Sequence, residues 1–351
     1  MGKLKEIQHV TGERIFFPDL LRALSFLAIV LFHFNVEIFQ SYPNSMKIGS
    51  LSYLGQTVGD IGISLFIIIS GLSLSFGANN SFDIKKFFKK RFLAIFPSFW
   101  VAYIVVGVVY FIFYGHFVGD GNYWKIILSI TGLDGFFLYR MQNYYLVGEW
   151  YTGYMLITYL FFPLLFIGCK KSPVLTWLGV MIVFFIVAIN YNEWCRVYIN
   201  CNPLTRLPDF LFGITYGLFI LKNKTRKFIM FLVGAALMIV IYNYKHIIMP
   251  QLYMFVFGAS LFSIAAYIGE FVKNIPLSSD VISYMARHSF MAFLFHHQIL
   301  YMLFSVVYYP ILTPVQSYLF LILIIILSFA SAIITEPLVN RLTDFLRKRI
   351  S

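Results

Sequence analysis

About ten apolar stretches of 17–24 residues recur along the chain, at 15–38, 58–78, 93–114, 146–168, 174–190, 204–221, 227–243, 251–270, 285–307 and 315–336. As helices rising about 1.5 Å per residue, they are long enough to cross most or all of a hydrocarbon core about 30 Å thick. Lipid offers no hydrogen bonds to the backbone, so segments of this kind must close their own as helices. Of the 351 residues, 60% are hydrophobic and 12% charged, with a mean hydropathy of +0.80. No long polar stretch is left to build a soluble catalytic domain. The expected fold is an all-α polytopic membrane protein, one domain over residues 1–351 that ends in a short basic tail at 337–351. There is no internal repeat and no low-complexity linker. No short apolar core followed by a small-residue cleavage site opens the chain, so a cleaved signal peptide is not expected.

The formal net charge is +12. The basic residues cluster between the spans, which argues against a nucleic-acid surface and for a topology signal. With the N-terminus inside, 21 of the 27 Lys and Arg residues fall on the cytoplasmic side. They are Lys3, Lys5, Arg14 and Arg22, the run Lys85 to Arg91, Lys170 and Lys171, the group Lys222 to Lys227, Lys273 and Arg287, and four from Arg341 to Arg349. Lys47, Lys125, Arg140, Arg196, Arg206 and Lys245 remain outside. Both termini are therefore expected to be cytoplasmic, in the cell membrane. Cys195 and Cys201 share a short outer loop, as a disulfide or as two free thiols.

The first span carries Asp19, Arg22 and His33. Ionisable groups cost several kcal/mol in hydrocarbon, so they persist there mainly where they face a polar cavity. Eleven residues separate Arg22 from His33, which puts both on nearly one helix face, with Asp19 a turn below. The stripe is about 16 Å long at 1.5 Å per residue. Imidazole titrates near neutrality and suits a general acid or base. Arg22 and Asp19 either close the inner end as an ion pair or line a passage for an anionic group. Glu37, four residues beyond His33, either orients its ring or is a solvated charge. His296 and His297 are adjacent and so point to different faces of one helix. No His, Cys or Asp cluster has metal-ligand spacing, and there is no Gly-rich nucleotide loop or nucleophile elbow.

Asp19-Leu-Leu-Arg22-Ala-Leu with Phe32-His33 resembles the first helix of the membrane acyltransferase 3 family. Further marks follow in the family's order. They are Gly62 to Ser70-Gly71, then Phe87-Phe-Lys-Lys-Arg91 to Pro97, then Trp150 with Tyr159 and Pro163, then Ser289 to His296, and finally Glu336-Pro337. The chain departs from many members at Ala94, where they carry a second arginine, and at Met155, where they carry a glutamate. Glu149, just before Trp150, is the nearest carboxylate.

The resemblance implies an integral membrane O-acyltransferase, commonly an O-acetyltransferase. It would move an acyl group from cytoplasmic acetyl-CoA or another acyl-CoA to a hydroxyl of an envelope glycan or lipid-linked saccharide. His33, Asp19 and Arg22 are then the catalytic candidates. Arg91, Lys90, Ser70, Trp150, Glu149, Tyr159 and His296 are candidates for donor or acceptor binding, with coenzyme A phosphates drawn to the basic inner mouth. A transporter or flippase for an envelope precursor is the alternative, since it too would need intramembrane charge.

Overall fold

The computed structural model describes residues 15–77, 82–119, 122–138, 140–195, 198–272, 278–306 and 311–350. Lys3, Lys5, Arg14, Arg196 and Lys273 lie outside the described residues. The elements in chain order are α1 (Phe17–Ser41), the hairpin β1 (Ser52–Tyr53) and β2 (Gln56–Thr57), α2 (Val58–Gly77), α3 (Ile84–Tyr114), α4 (Ile126–Ile130) and α5 (Asp134–Phe137). They continue with α6 (Glu149–Lys171), α7 (Pro173–Ile189), α8 (Tyr191–Trp194), α9 (Leu207–Thr215), α10 (Lys224–Tyr244), α11 (Pro250–Val272), α12 (Ser278–Val306) and α13 (Pro314–Ile350). Among the described residues, eight helices are long and apolar enough to cross a membrane: α1, α2, α3, α6, α10, α11, α12 and α13. The shorter apolar helices α7 and Leu207–Ile220 fall on the two remaining stretches. The chain is an all-α multi-pass membrane protein.

Element boundaries differ from the hydropathy pattern in two places. The run Lys85 to Arg91 is not a loop. Asp83 caps α3 by accepting the Lys86 backbone N–H, so these cations occupy the first two turns of the helix. The segment 337–350 is not a loose tail either, because α13 continues unbroken through Pro337 to Ile350. Cys195 and Cys201 are free thiols. Cys201 turns inward on the short turn Ile199–Cys201 and is buried, while Cys195 sits in extended backbone at the end of α8.

The packing divides the chain into two units. The first comprises Met1–Phe32, Gly49–Asn80 and Thr158–Arg287. Its core gathers Phe17 and Leu21 of α1, Leu65, Ile68 and Leu72 of α2, and Tyr216, Phe262 and Ala266. Glycines let the α2 and α9 backbones touch. A Cβ on Gly213 would lie 2.0 Å from the Ile68 carbonyl oxygen, and one on Gly71 would lie 2.2 Å from that of Phe210. Close approach of this kind is what holds helices together where lipid removes the hydrophobic drive between them.

Within this unit Asp19 pairs with Arg22 at 3.0 Å, and Arg22 also donates to Ser73 at 2.6 Å. Ser70 and Tyr159 share a hydrogen bond of 2.9 Å. Arg206, counted on the outer side at the start of the 204–221 stretch, is wholly buried. It donates to Ser64 at 2.8 Å and faces Asp209 at 3.8 Å. A loop arginine would keep its water; this one is one helical turn from a carboxylate that makes its burial tolerable.

The second unit comprises His33–Ile48, Ser81–Ile157 and His288–Ser351. Asn35 closes the chain after α1 by exchanging two hydrogen bonds with the Ile48 backbone, at 2.8 and 2.9 Å. α3 and α13 pack along each other in this unit, and His288 of α12 faces Glu336 of α13 at 3.7 Å.

Gly213→Val should force α2 and α9 apart and lower stability by about 1–3 kcal/mol, as overpacking generally does. Gly179→Ala, where a Cβ meets nothing within 4 Å, should not. Thermal melts of the two variants in detergent check this.

Candidate active site

Glu149 opens α6 with a backbone φ of +46°, directly after Gly148 at +85°. A non-glycine residue in the left-handed region costs about 1–3 kcal/mol and persists only where its surroundings enforce it. Three local contacts do so. The Gly148 carbonyl accepts both the backbone N–H and the hydroxyl of Thr152, at 3.1 and 2.8 Å. Gly135 packs directly on the Glu149 peptide, where a Cβ would lie 2.1 Å from the Glu149 carbonyl oxygen. Asn143 ties the intervening loop down by donating to the Asp134 carbonyl at 2.8 Å and accepting the Tyr145 N–H at 2.9 Å.

The bend turns the Glu149 carboxylate to three imidazoles. His33 Nε2 lies 3.1 Å from Oε2, His296 Nε2 lies 3.1 Å from Oε1, and His297 Nδ1 lies 3.3 Å from Oε1. The His33 and His297 rings are 4.5 Å apart, and His297 stacks on Tyr301 at 4.5 Å, one helical turn away. His296 is wholly buried, whereas the His33 and His297 side chains keep 18% and 17% of their surface. His33 and His297 are therefore open to the outside of the cluster, and His296 is enclosed by it. The His296 Nδ1 faces the Phe293 carbonyl oxygen at 2.6 Å and donates to it.

The structure thus changes several sequence expectations. Glu149 is the hub of the site, with His33 Nε2 on one of its oxygens and His296 and His297 on the other. Glu37 accepts instead from the Ser41 hydroxyl. His296 and His297 diverge along α12 yet converge on one oxygen. The expectation of no metal-ligand cluster rested on spacing along the chain, and folding overturns it. His33, Glu149 and His296 bring ligand atoms within 4.8 Å of one another, a set that could hold a divalent cation.

Other candidates stand elsewhere. Trp150 is half-buried and set edge-on to Tyr151 and Tyr154. Lys90 and Arg91 lie on the second turn of α3, half-buried, with the Arg91 Nε buried and unmatched by any hydrogen-bond acceptor. Asp19, Arg22, Ser70 and Tyr159 belong to the first unit, in the two polar pairs described above. The local signal for Glu149 was a glycine–acid pair at the start of a span; nothing in the sequence tied it to the histidines.

Asp134, outside the spans, is buried, and its carboxyl accepts the Gly135 N–H at 2.9 Å. Burial pushes its pKa from 3.8 up to about 7, against the opposing hydrogen bonds from Gly135 and Ser129. The folded state thus holds this proton at a pH where the unfolded chain has released it. Stability from this group is present at low pH and declines as pH rises from about 4 to about 7. Asp134→Asn, which cannot titrate, should flatten that decline and melt several degrees above wild type at pH 8. Melting curves from pH 5 to 8 check it.

A family model described as an acyltransferase domain matches residues 15–336. Acyltransferase MdmB of Streptomyces mycarofaciens is 23% identical over 226 residues, covering 57% of each chain. The chain therefore aligns with little more than half the length of that relative. No solved structure matches. The family match runs from the start of α1 past the Glu149 cluster and into α13, and the chain belongs to the acyltransferase 3 family.

Proposed function

We propose that this protein is a membrane O-acyltransferase that takes an acyl group, with acetyl the first expected, from a cytoplasmic acyl-CoA. It delivers that group to a hydroxyl of an envelope glycan or lipid-linked saccharide, with its termini in the cytoplasm and its spans in the cell membrane. The observation that carries this reading is the His33–Glu149 contact inside a family-matched membrane domain. A partly accessible imidazole held by a buried carboxylate is the arrangement a general base requires.

In the reaction, His33 takes the proton of the acceptor hydroxyl as its oxygen attacks the thioester carbonyl. The C–O bond forms, the C–S bond breaks, and the proton passes to the departing thiolate. Glu149 fixes the ring and stabilises the imidazolium formed on the way. His296 and His297 share the same carboxylate and hold it in place. Alternatively His33 carries the acyl group itself for part of the cycle. Asp19 and Arg22 support the inner half of α1. Lys90 and Arg91, at the basic start of α3, would meet the donor phosphates, for which a guanidinium is the better fork. Trp150, Ser70 and Tyr159 remain candidates for substrate contact.

His33→Ala should abolish labelled acyl transfer with expression and melting near wild type, and Glu149→Gln should lower kcat by about 10²- to 10⁴-fold, as loss of base function does. Activity should survive chelation. Loss on chelation with recovery on adding a metal would make His33 a ligand rather than a base. A folded His33→Ala protein that still acylates would refute the assignment.

For the donor, Arg91→Ala should raise the apparent KM for acyl-CoA at little cost in stability. Unchanged donor affinity in a direct titration would reduce Arg91 to a topology anchor.

A further inference from the structure

The N-terminal turns of α3 and the C-terminal turns of α13 carry basic runs some 250 residues apart in sequence, and the second unit brings them together. Lys89 Nζ donates to the Ile350 carbonyl oxygen at 2.8 Å, so the end of α13 lies against the start of α3. Lys85, Lys86, Lys348 and Arg349 are exposed there, with Lys89 and Arg347 half-buried beside them. Two described acids at this edge have partners of their own. Asp83 caps α3 through the Lys86 backbone, and Asp344 pairs with Arg347 at 2.7 Å.

This concentration of charge works against the fold as it stands. Cations in the first turns of α3 oppose the positive end of the helix dipole, and Lys85–Lys89 and Lys86–Lys90 are like-charged pairs four residues apart. An anion at this edge would relieve both. α3 passes from its basic end directly into its apolar span, α13 reaches its basic end about three turns beyond its own, and exposed Ile84 and Phe345 flank the patch, with Arg349 over the Phe345 ring at 5.6 Å. Cations ringed by apolar side chains at the end of two spans face the headgroup layer, where each is drawn to an anionic leaflet.

We propose that the edge formed by the start of α3 and the end of α13 binds anionic phospholipid headgroups, with Lys85, Lys86, Lys348 and Arg349 as the phosphate contacts. The proposal does not depend on the acyl-transfer reading.

Purified full-length protein in neutral detergent supplies the test, with phosphatidylglycerol and phosphatidylcholine as probes. Phosphatidylglycerol should raise the melting temperature by several degrees and stay bound in native mass spectra, with the effect fading at high salt. Lys348→Glu/Arg349→Glu should cut the retained phosphatidylglycerol about tenfold while leaving the lipid-free melt unchanged. The milder Lys348→Gln/Arg349→Gln should fall between the two if charge reversal perturbs the helix end. Equal effects of the two lipids, or full retention by both variants, would overturn the proposal. So would coenzyme A reproducing the shift and displacing the lipid, which would give the edge to a soluble nucleotide phosphate.

Discussion

One carboxylate organises the second unit. Glu149 is buried, yet it is held against three imidazoles from two other helices, and its own backbone sits in a conformation few side chains adopt. The neighbouring glycines follow from that. Gly148 makes the turn, and Gly135 leaves room for the Glu149 peptide to come within contact. Remove the carboxylate and three histidines lose their common partner. A buried polar network of this kind is costly when incomplete and rigid when complete, which is what a reaction centre inside a membrane domain needs.

The two units handle buried charge differently. The first includes two local pairs, Asp19 with Arg22 and Arg206 with Asp209, each three residues apart on one helix or at its start, and one cross-helix pair, Lys227 with Glu270. A partner one turn away is available as soon as the helix forms. The second unit joins distant residues around Glu149, and its geometry depends on tertiary packing being right. Local pairs suit a supporting role, because the nearest counter-charge comes with the helix itself, while Ser73 and Ser64 of α2 complete the arginine contacts. Convergent groups suit chemistry, because they place unlike functions on one point.

Surface charge follows a similar division. Most of the basic residues sit at helix ends, as a topology signal would have them. At the α3–α13 edge, however, packing concentrates two such ends into one patch, and its electrostatics exceed what either run would generate alone.

The sequence by itself determined the membrane class, the positions of the apolar helices and the family, because span length and ordered local motifs survive in one dimension. It also singled out His33, since an ionisable group within an apolar run is conspicuous without any structure. Tertiary structure decided what His33 faces. Glu149 was legible only as an acid next to a tryptophan, and His297 as a residue on the wrong side of His296, because a turn with positive φ and the crossing of helices leave no periodic trace. It also decided that Arg206 is buried against Ser64 and Asp209, that the basic tail is helix, and that Cys195 and Cys201 stay apart. Helical propensity and hydropathy act over neighbours in the chain; a shared carboxylate, a buried guanidinium and a joined charge patch act across space, and only the packed helices set those distances.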